Sequence, residues 1–170
     1  MTAATAPAAV AGPRIFLSLG AVLAALWAIA LHPAGKALFA PLNLLTAELT
    51  AAMLGLIGLP VAREAAVLTH ANGFACSIHH ACTAFTPAAL LAAVVLPFPV
   101  SWQARLIGVG VGVAFLMVLN QLRLVSVVWI GVHAPQFFDF VHFWLWHAIL
   151  IAATAGYWLA WVKRSTPDAK

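Results

Sequence analysis

Charged side chains are scarce in this 170-residue chain. Only 7% of the residues are Asp, Glu, Lys or Arg, whereas 65% are hydrophobic, and the mean hydropathy is +1.05. Soluble domains carry about 25% charged residues, because a fold in water needs a polar exterior. The scarcity therefore excludes a soluble globular fold and predicts an all-α integral membrane protein, with lipid as the solvent for most of its surface.

Acidic residues and cysteines are also scarce. Four acidic residues stand against eight Lys and Arg, and the basic residues are scattered, which favours topology markers over a nucleic-acid surface. Two cysteines, Cys76 and Cys82, are too few for a disulfide scaffold, and their spacing is not the C-x-x-C of a redox or zinc motif. At least one thiol is therefore free for chemistry.

Long apolar runs are abundant, and they predict five transmembrane spans, since a helix needs about 20 residues to cross the hydrocarbon. The predicted spans are residues 15–31, 43–59, 83–98, 105–130 and 141–162. They form a single transmembrane domain (15–162) between a flexible N-terminal tail (1–14) and a basic cytoplasmic tail (163–170). The tail at 1–14 lacks the features of a cleavable secretion signal, so we expect the first span to be retained.

The segment "PVAREAAVLTHANGFACSIHHA" precedes the third span and contains the turn-like pair Asn72-Gly73. It predicts a small extracytoplasmic loop or hairpin. The second span is interrupted by Glu48, which leaves open whether it crosses fully.

Orientation follows from the basic residues, which are retained preferentially on the cytoplasmic side. With five spans and an inside C-terminus, Arg14 and Arg63 lie outside. The remaining basic residues of the loops and tail lie inside, namely Lys36, Arg105, Lys163, Arg164 and Lys170. This bias predicts an outside N-terminus and an inside C-terminus.

Three reactive residue types then converge at the outer face. Cys82 comes just before the third span, and His142 lies at the outer end of the fifth. Arg123 follows Arg105 by 18 positions, so a continuous helix lifts it about 27 Å, close to the outer boundary of the hydrocarbon. Sequence-distant residues are thus predicted to share one depth on one side of the membrane.

A thiol, a guanidinium and an imidazole are the minimum set for acyl transfer. They supply a nucleophile, a cation for the tetrahedral oxyanion and a general acid/base. Two plainer readings remain open, in which Cys82 is a small core residue and Arg123 snorkels to the headgroups. Asn120, three residues before Arg123 on the same helical face, favours a polar pocket and is expected to support the site.

A metal site is the alternative chemistry. Cys76, His79, His80 and Cys82 form C-x-x-H-H-x-C, which supplies ligands suited to zinc or copper, although the spacing matches no established zinc pattern. This reading belongs to a different class of protein, a non-enzymatic membrane subunit that binds a metal, lipid or quinone through its Cys, His and Arg residues. The enzymatic reading needs no cofactor.

Three stretches carry a resemblance to a known family. The order "ACTAFTPAALLAAVVLPFP", "ARLIGVGVGVAFLMVLNQLRLVSVVWIGV" and "APQFFDFVHFWLWHAILIAATAGYWLAW", within Leu56 to Trp161, resembles the exosortase/archaeosortase membrane transpeptidases. The length resembles the short bacterial subfamilies, exosortase H among them. The resemblance implies catalytic roles for Cys82 in "ACTAF", Arg123 in "LNQLRLV" and His142 in "FDFVHFW".

The resemblance also implies what the protein acts on. Expected substrates are exported proteins with a C-terminal tail made of a short motif, a transmembrane helix and a basic cluster. The enzyme would cut near the motif through a thioester and pass the new C-terminus to an acceptor, at the outer face of the bacterial inner membrane. Where the family usually has glycine two residues after the cysteine, this chain has Ala84, which leaves an inactive relative as a further alternative.

Overall fold

The computed structural model describes residues 7–166, except the side chains of residues 7–11, 30–31 and 33–36. The described part contains five α-helices, which confirms the prediction of an all-α membrane protein with about five helices. In chain order they are α1 (Pro7–Leu31), α2 (Pro33–Leu56), α3 (Phe85–Val95), α4 (Trp102–His133) and α5 (Trp146–Ser165).

Four segments are long and apolar enough to cross a membrane: Gly12–Ile29, Ala37–Leu56, Trp102–His133 and Pro135–Ser165. Helix α3 has 11 residues. At 1.5 Å per residue it is about 16 Å long, and so it cannot cross about 30 Å of hydrocarbon alone. It is shorter than the span predicted at 83–98, because the chain turns after Leu96 before Ser101 caps α4 by accepting from the Ala104 N–H at 3.3 Å.

The first two helices begin earlier than the sequence predicts. Helix α1 begins at Pro7 rather than at residue 15, and α2 begins at Pro33 rather than at residue 43. Proline is tolerated in the first helical turn, where its missing N–H has no intrahelical partner to lose. The remaining residues of the predicted N-terminal tail, 1–6, lie outside the described residues, as do residues 167–170 of the predicted cytoplasmic tail.

The predicted loop or hairpin before α3 is a three-stranded antiparallel sheet. Its strands are β1 (Ala62–Glu64), β2 (Val67–Thr69) and β3 (Ala75–Ser77), in the order β1-β2-β3. The turn between β2 and β3 contains Gly73 at φ +94°, a left-handed conformation that glycine adopts without steric cost. The register pairs Leu68 with Cys76, so the sheet carries one of the two thiols.

The sheet packs on the C-terminal end of α4. The Phe74 ring lies against Gly131, where a Cβ would collide with it, and Asn72 Nδ2 donates to the Val132 carbonyl at 3.2 Å. Helix α4 has 32 residues, so it is about 48 Å long and exceeds the hydrocarbon by about 18 Å. The sheet therefore packs on the part of α4 that is not required to cross the hydrocarbon.

Two buried clusters hold the fold together. One joins α2, the sheet, the Cys82 turn and α4, through Ala47, Leu54, Leu59, Leu68, Ile78, Cys82, Leu124 and Val128. The other joins α3, α4 and α5, through Ala84, Leu91, Val95, Phe98, Leu116 and Trp161. Cys82 thus belongs to the cluster that ties the sheet to the helices.

Glycines let α3 and α5 approach α4 closely. A Cβ on Gly112 would collide with Leu91 of α3 and with Tyr157 of α5. The close approach also allows Tyr157 Oη to donate to the Gly108 carbonyl at 2.6 Å, and Trp161 Nε1 to donate to the Ala104 carbonyl at 3.2 Å. Small residues at helix contacts are the usual means of packing helices in lipid.

Substitution of Gly112 tests this packing. Gly112→Val is expected to lower the free energy of unfolding by about 1–3 kcal/mol through overpacking, and hence to lower the thermal unfolding midpoint in detergent. Gly110→Val is the matched control, because nothing lies within 4 Å of a Cβ at Gly110. Equal midpoints for the two variants would contradict the close contact at Gly112.

Candidate active site

Cys82 ends a rigid turn between the sheet and α3. The turn is 3₁₀-helical over His80–Cys82, and the Cys82 N–H donates to the His79 carbonyl at 2.7 Å. His79 Nδ1 accepts from the Ala81 N–H at 3.3 Å, and Thr83 Oγ1 donates to the His80 carbonyl at 2.7 Å. These bonds fix the Cys82 backbone, and its side chain is only 5% exposed.

The start of α3 differs from the expectation. The helix begins at Phe85 rather than directly after Cys82, because Thr83 and Ala84 complete the turn first. Cys82 therefore lies three residues before the first residue of α3. Ala84 has φ −72° and ψ 2°, which alanine adopts without strain, so its backbone has no need of glycine.

Asn120 of α4 holds the Cys82 turn from the side. Its Nδ2 donates to the Cys82 carbonyl at 2.9 Å, and the contact is buried, with Asn120 only 3% exposed. This bond joins residues 38 positions apart and sets the nucleophile's backbone against α4. Asn120 therefore orients the Cys82 backbone and does not contact its thiol through this bond.

Arg123 lies one turn beyond Asn120 on the same helix and is 4% exposed. Its guanidinium is enclosed by protein and does not extend to solvent. It interacts electrostatically with both Cys82 and Cys76. A buried cation at a membrane-spanning position is costly unless it faces polar or anionic partners, and here it faces the two thiols.

His142 lies on a π-helical turn, Phe140–Leu145, that leads into α5. Its ring stacks on Phe138, with ring centroids 5.4 Å apart. It interacts electrostatically with Arg123, His147, Asp139 and His79. Single π-turns insert one extra residue into a helix and occur frequently at functional sites. The turn sets the direction in which the His142 imidazole leaves the helix.

Unpaired polar atoms gather at this site. Among the side chains that the structure describes, five buried nitrogen and oxygen atoms lack a hydrogen-bond partner. Three of them are Asn120 Oδ1, Arg123 Nε and His142 Nδ1. Buried polar groups are nearly always paired, so unpaired atoms on residues that contact the Cys82 turn or interact with Arg123 indicate a place where a polar ligand binds.

Comparison with known proteins decides the family. The sequence matches the transmembrane exosortase family over residues 1–159. The chain belongs to the transmembrane exosortase family. No curated protein and no solved structure matches it. Exosortases are generally peptidases or transpeptidases that act on exported proteins with C-terminal signals. The family resemblance is confirmed, and the match extends over α1 and α2, ahead of the stretch from Leu56 on which the resemblance was based.

The two histidines before Cys82 in this exosortase-family chain, His79 and His80, have no role at the centre of the site. His79 is exposed, and His80 stacks on Phe39 with centroids 5.7 Å apart. Among residues 7–166, no three His, Cys, Asp or Glu side chains are grouped so as to hold a metal ion, so the structure does not bring Cys76, His79, His80 and Cys82 together as ligands.

Ser126 and Trp146 were missed by sequence reasoning. Trp146 Nε1 donates to Ser126 Oγ at 2.9 Å, and Ser126 Oγ donates to the Arg123 carbonyl at 2.8 Å. This chain of bonds connects the helix that carries His142 to the helix that carries Arg123. The three-residue spacing of Arg123 and Ser126 is the only sequence signal for this chain of bonds. Trp146 gives no signal, because its position is equally consistent with an aromatic residue at the membrane interface.

The second thiol, Cys76, differs from Cys82 in its surroundings. Burial raises the pKa of Cys76, the neighbouring Cys82 raises it further, and Arg123 opposes the shift. A higher pKa leaves less thiolate at a given pH, and the thiolate is the reactive form. Cys76 in the sheet of this exosortase-family chain is therefore a poorer nucleophile at neutral pH than an ordinary thiol.

Alkylation of Cys76 tests this pKa shift. In a Cys82→Ala variant, the alkylation rate of Cys76 by iodoacetamide is expected to keep rising with pH beyond the range in which an ordinary thiol, with a pKa of about 8.5, levels off. Burial, the main cause of the shift, persists in that variant. The matched control is the triple variant Cys76→Ala, Cys82→Ala, Ser77→Cys. Its single thiol, at position 77, is on the same strand but exposed. Superimposable pH profiles would refute the shift.

Proposed function

We propose that this chain is a cysteine transpeptidase that cleaves the C-terminal sorting signal of exported proteins and transfers the new C-terminus to an acceptor. One observation supports the proposal most strongly: the buried Arg123 guanidinium interacts with both the buried Cys82 thiol and the His142 imidazole. Arg123 and His142 each also have a buried polar atom without a hydrogen-bond partner. In this proposal the protein is a single transmembrane domain over residues 15–162. Its substrates carry a C-terminal tail made of a short motif, a transmembrane helix and a basic cluster.

Acylation begins when His142 accepts the Cys82 proton and the thiolate attacks the scissile carbonyl carbon. A C–S bond forms, and the carbonyl π electrons move to oxygen. The Arg123 Nε–H, which has no partner among the described residues, donates to the resulting oxyanion. The C–N bond then breaks as protonated His142 gives its proton to the leaving amine, which leaves a thioester on Cys82.

Deacylation repeats these steps in reverse order with a new nucleophile. An amine or hydroxyl of the acceptor, or water, attacks the thioester carbonyl while His142 takes its proton. The tetrahedral adduct collapses, the C–S bond breaks, and Cys82 leaves as a thiolate that recovers a proton from His142. The substrate then carries the acceptor in place of its tail.

The charge distribution supports an active site near the outer face of the inner membrane. Arg105 lies near the start of α4, and Lys163 and Arg164 near the end of α5. The Trp161 bond to Ala104 brings these two helix ends together. Basic residues favour the cytoplasmic side, and Arg123 is about 27 Å further along α4.

A direct test uses reporter proteins that carry C-terminal tails, each with an apolar segment followed by basic residues. Reporters recovered from membranes with and without this chain are weighed by mass spectrometry. We expect loss of the tail only where the chain is present, with a hydroxamate at the new C-terminus after hydroxylamine treatment, since hydroxylamine cleaves thioesters. Unchanged masses for all tails would overturn the proposal and favour a non-enzymatic membrane subunit.

A further inference from the structure

An apolar cavity of about 540 Å³ lies between α2, α3 and α4, beside the candidate active site. This volume is within the range of about 300–1,000 Å³ that is typical of ligand pockets. None of the residues with an assigned catalytic role lines it. It is called the lateral groove below.

Two side-chain stripes form the walls of the lateral groove. On α2 the stripe consists of Leu42, Thr46, Leu49 and Met53, which share one helical face over about 16 Å. On α4 the facing stripe is Val113, Met117 and Gln121. Two helical ridges separated by a long apolar depression are the surface into which a third helix packs.

The two walls are fixed to one another near the active site. Thr50 Oγ1 of α2 donates to Gln121 Oε1 of α4 at 2.9 Å. Beyond this bond, Leu54 of α2 and Leu124 of α4 join the cluster that contains Cys82. The groove therefore runs along both helices toward the nucleophile.

The groove is continuous with the active site through two residues. Ala84 and Asn120 line it, and Asn120 is the residue that donates to the Cys82 carbonyl. An occupant of the groove thus ends beside the Cys82 turn. A peptide that leaves the groove at this end passes the Cys82 turn.

We propose that the lateral groove holds the transmembrane helix of the substrate tail and so presents the preceding peptide bond to Cys82. This inference rests on the proposed function. A helix fits better than a lipid acyl chain because the facing stripes offer two ridges at helical spacing, into which the side chains of a third helix can pack. The tail helix is also covalently joined to the bond that Cys82 attacks.

Photo-crosslinking tests the occupant without requiring catalysis. A benzoylphenylalanine is placed at Leu49 in the groove, or at the exposed α4 residue Val111 outside it, in a Cys82→Ala background. After irradiation of membranes that contain the reporter tails, we expect a crosslink from Leu49, mapped by mass spectrometry to the apolar segment of a tail. Val111 should give at least tenfold less. Crosslinks from Leu49 to lipid alone would overturn the proposal.

Filling the groove provides the second test. Ala88→Trp is expected to lower processing of a cleaved reporter at least tenfold, whereas Val111→Trp should change it less than twofold. The iodoacetamide alkylation rate of Cys82 in Ala88→Trp should equal that of wild type, which shows that the active site is folded. Processing at the wild-type rate in a folded Ala88→Trp variant would refute the groove.

The two proposals fail in different ways. Cys82-dependent processing without a crosslink from Leu49 would leave the transpeptidase in place and remove the groove. A crosslink to the tail without processing would keep the docking site and remove the catalytic role.

Discussion

Cys82→Ala is expected to abolish tail processing, with a loss of at least about 10³-fold, because the proposed thioester forms on the Cys82 thiol. The reporter should then retain its full mass, and hydroxylamine should release no hydroxamate. The substitution removes a small side chain that is 5% exposed, so the fold should survive. Mass spectrometry of the reporter and the thermal unfolding midpoint measure the two effects separately.

Cys76→Ala is the matched control for this result. Cys76 is the other free thiol, and it also interacts with Arg123. Its raised pKa and its position on β3 give it no part in the mechanism, so processing should change less than about threefold. If Cys76→Ala abolished processing and Cys82→Ala did not, the nucleophile would be Cys76 and the assignment of the site would be wrong.

Arg123→Gln is expected to lower the single-turnover rate of reporter cleavage by about 10²–10³-fold, the usual cost of losing one oxyanion donor. Crosslinking of the tail from Leu49 should remain, because Arg123 does not line the lateral groove. A glutamine is neutral, so the variant also leaves no unpaired charge in the protein interior. Arg123→Lys keeps the charge but has a different donor geometry, and it should recover only part of the rate.

Arg105→Gln is the control that shows whether the loss of cleavage in Arg123→Gln is specific to Arg123 or follows the loss of any arginine in α4. Arg105 is on the same helix, about 27 Å from Arg123, and its Nε donates to the Val100 carbonyl at 3.1 Å. Processing in folded Arg105→Gln should be within about threefold of wild type. A loss equal to that of Arg123→Gln would show that Arg123 acts on folding or topology and not on the oxyanion.

Some features of the fold and site follow from the sequence because simple rules determine them. Composition alone requires a membrane protein, and the fixed rise of a helix sets the depth of Arg123 relative to Arg105. The same argument places Asn120 near Arg123, although its bond to the Cys82 carbonyl depends on how α4 packs against the turn.

Other features depend on tertiary contacts and were not predictable. The Asn72-Gly73 turn predicts a loop or hairpin, but three-residue strands contain too little periodicity to reveal a third strand. Leu68 and Phe74 pack the resulting sheet on the helices. The π-helical turn at His142 has no sequence signature of its own. The lateral groove forms only when α2 and α4 pack together. The sequence of either helix alone therefore does not predict it.

The sheet and the long end of α4 act as a spacer above the nucleophile. Asn120 is level with the Cys82 turn, and α4 continues for a further 13 residues to His133, or about 20 Å. Under the proposed function, a folded domain of a substrate is expected to stay outside this rim. About six extended residues, at about 3.3 Å each, must therefore separate the domain from the scissile bond. Under the proposed function, tether length is expected to act as a selection rule, by which tails with shorter tethers escape processing whatever motif they carry.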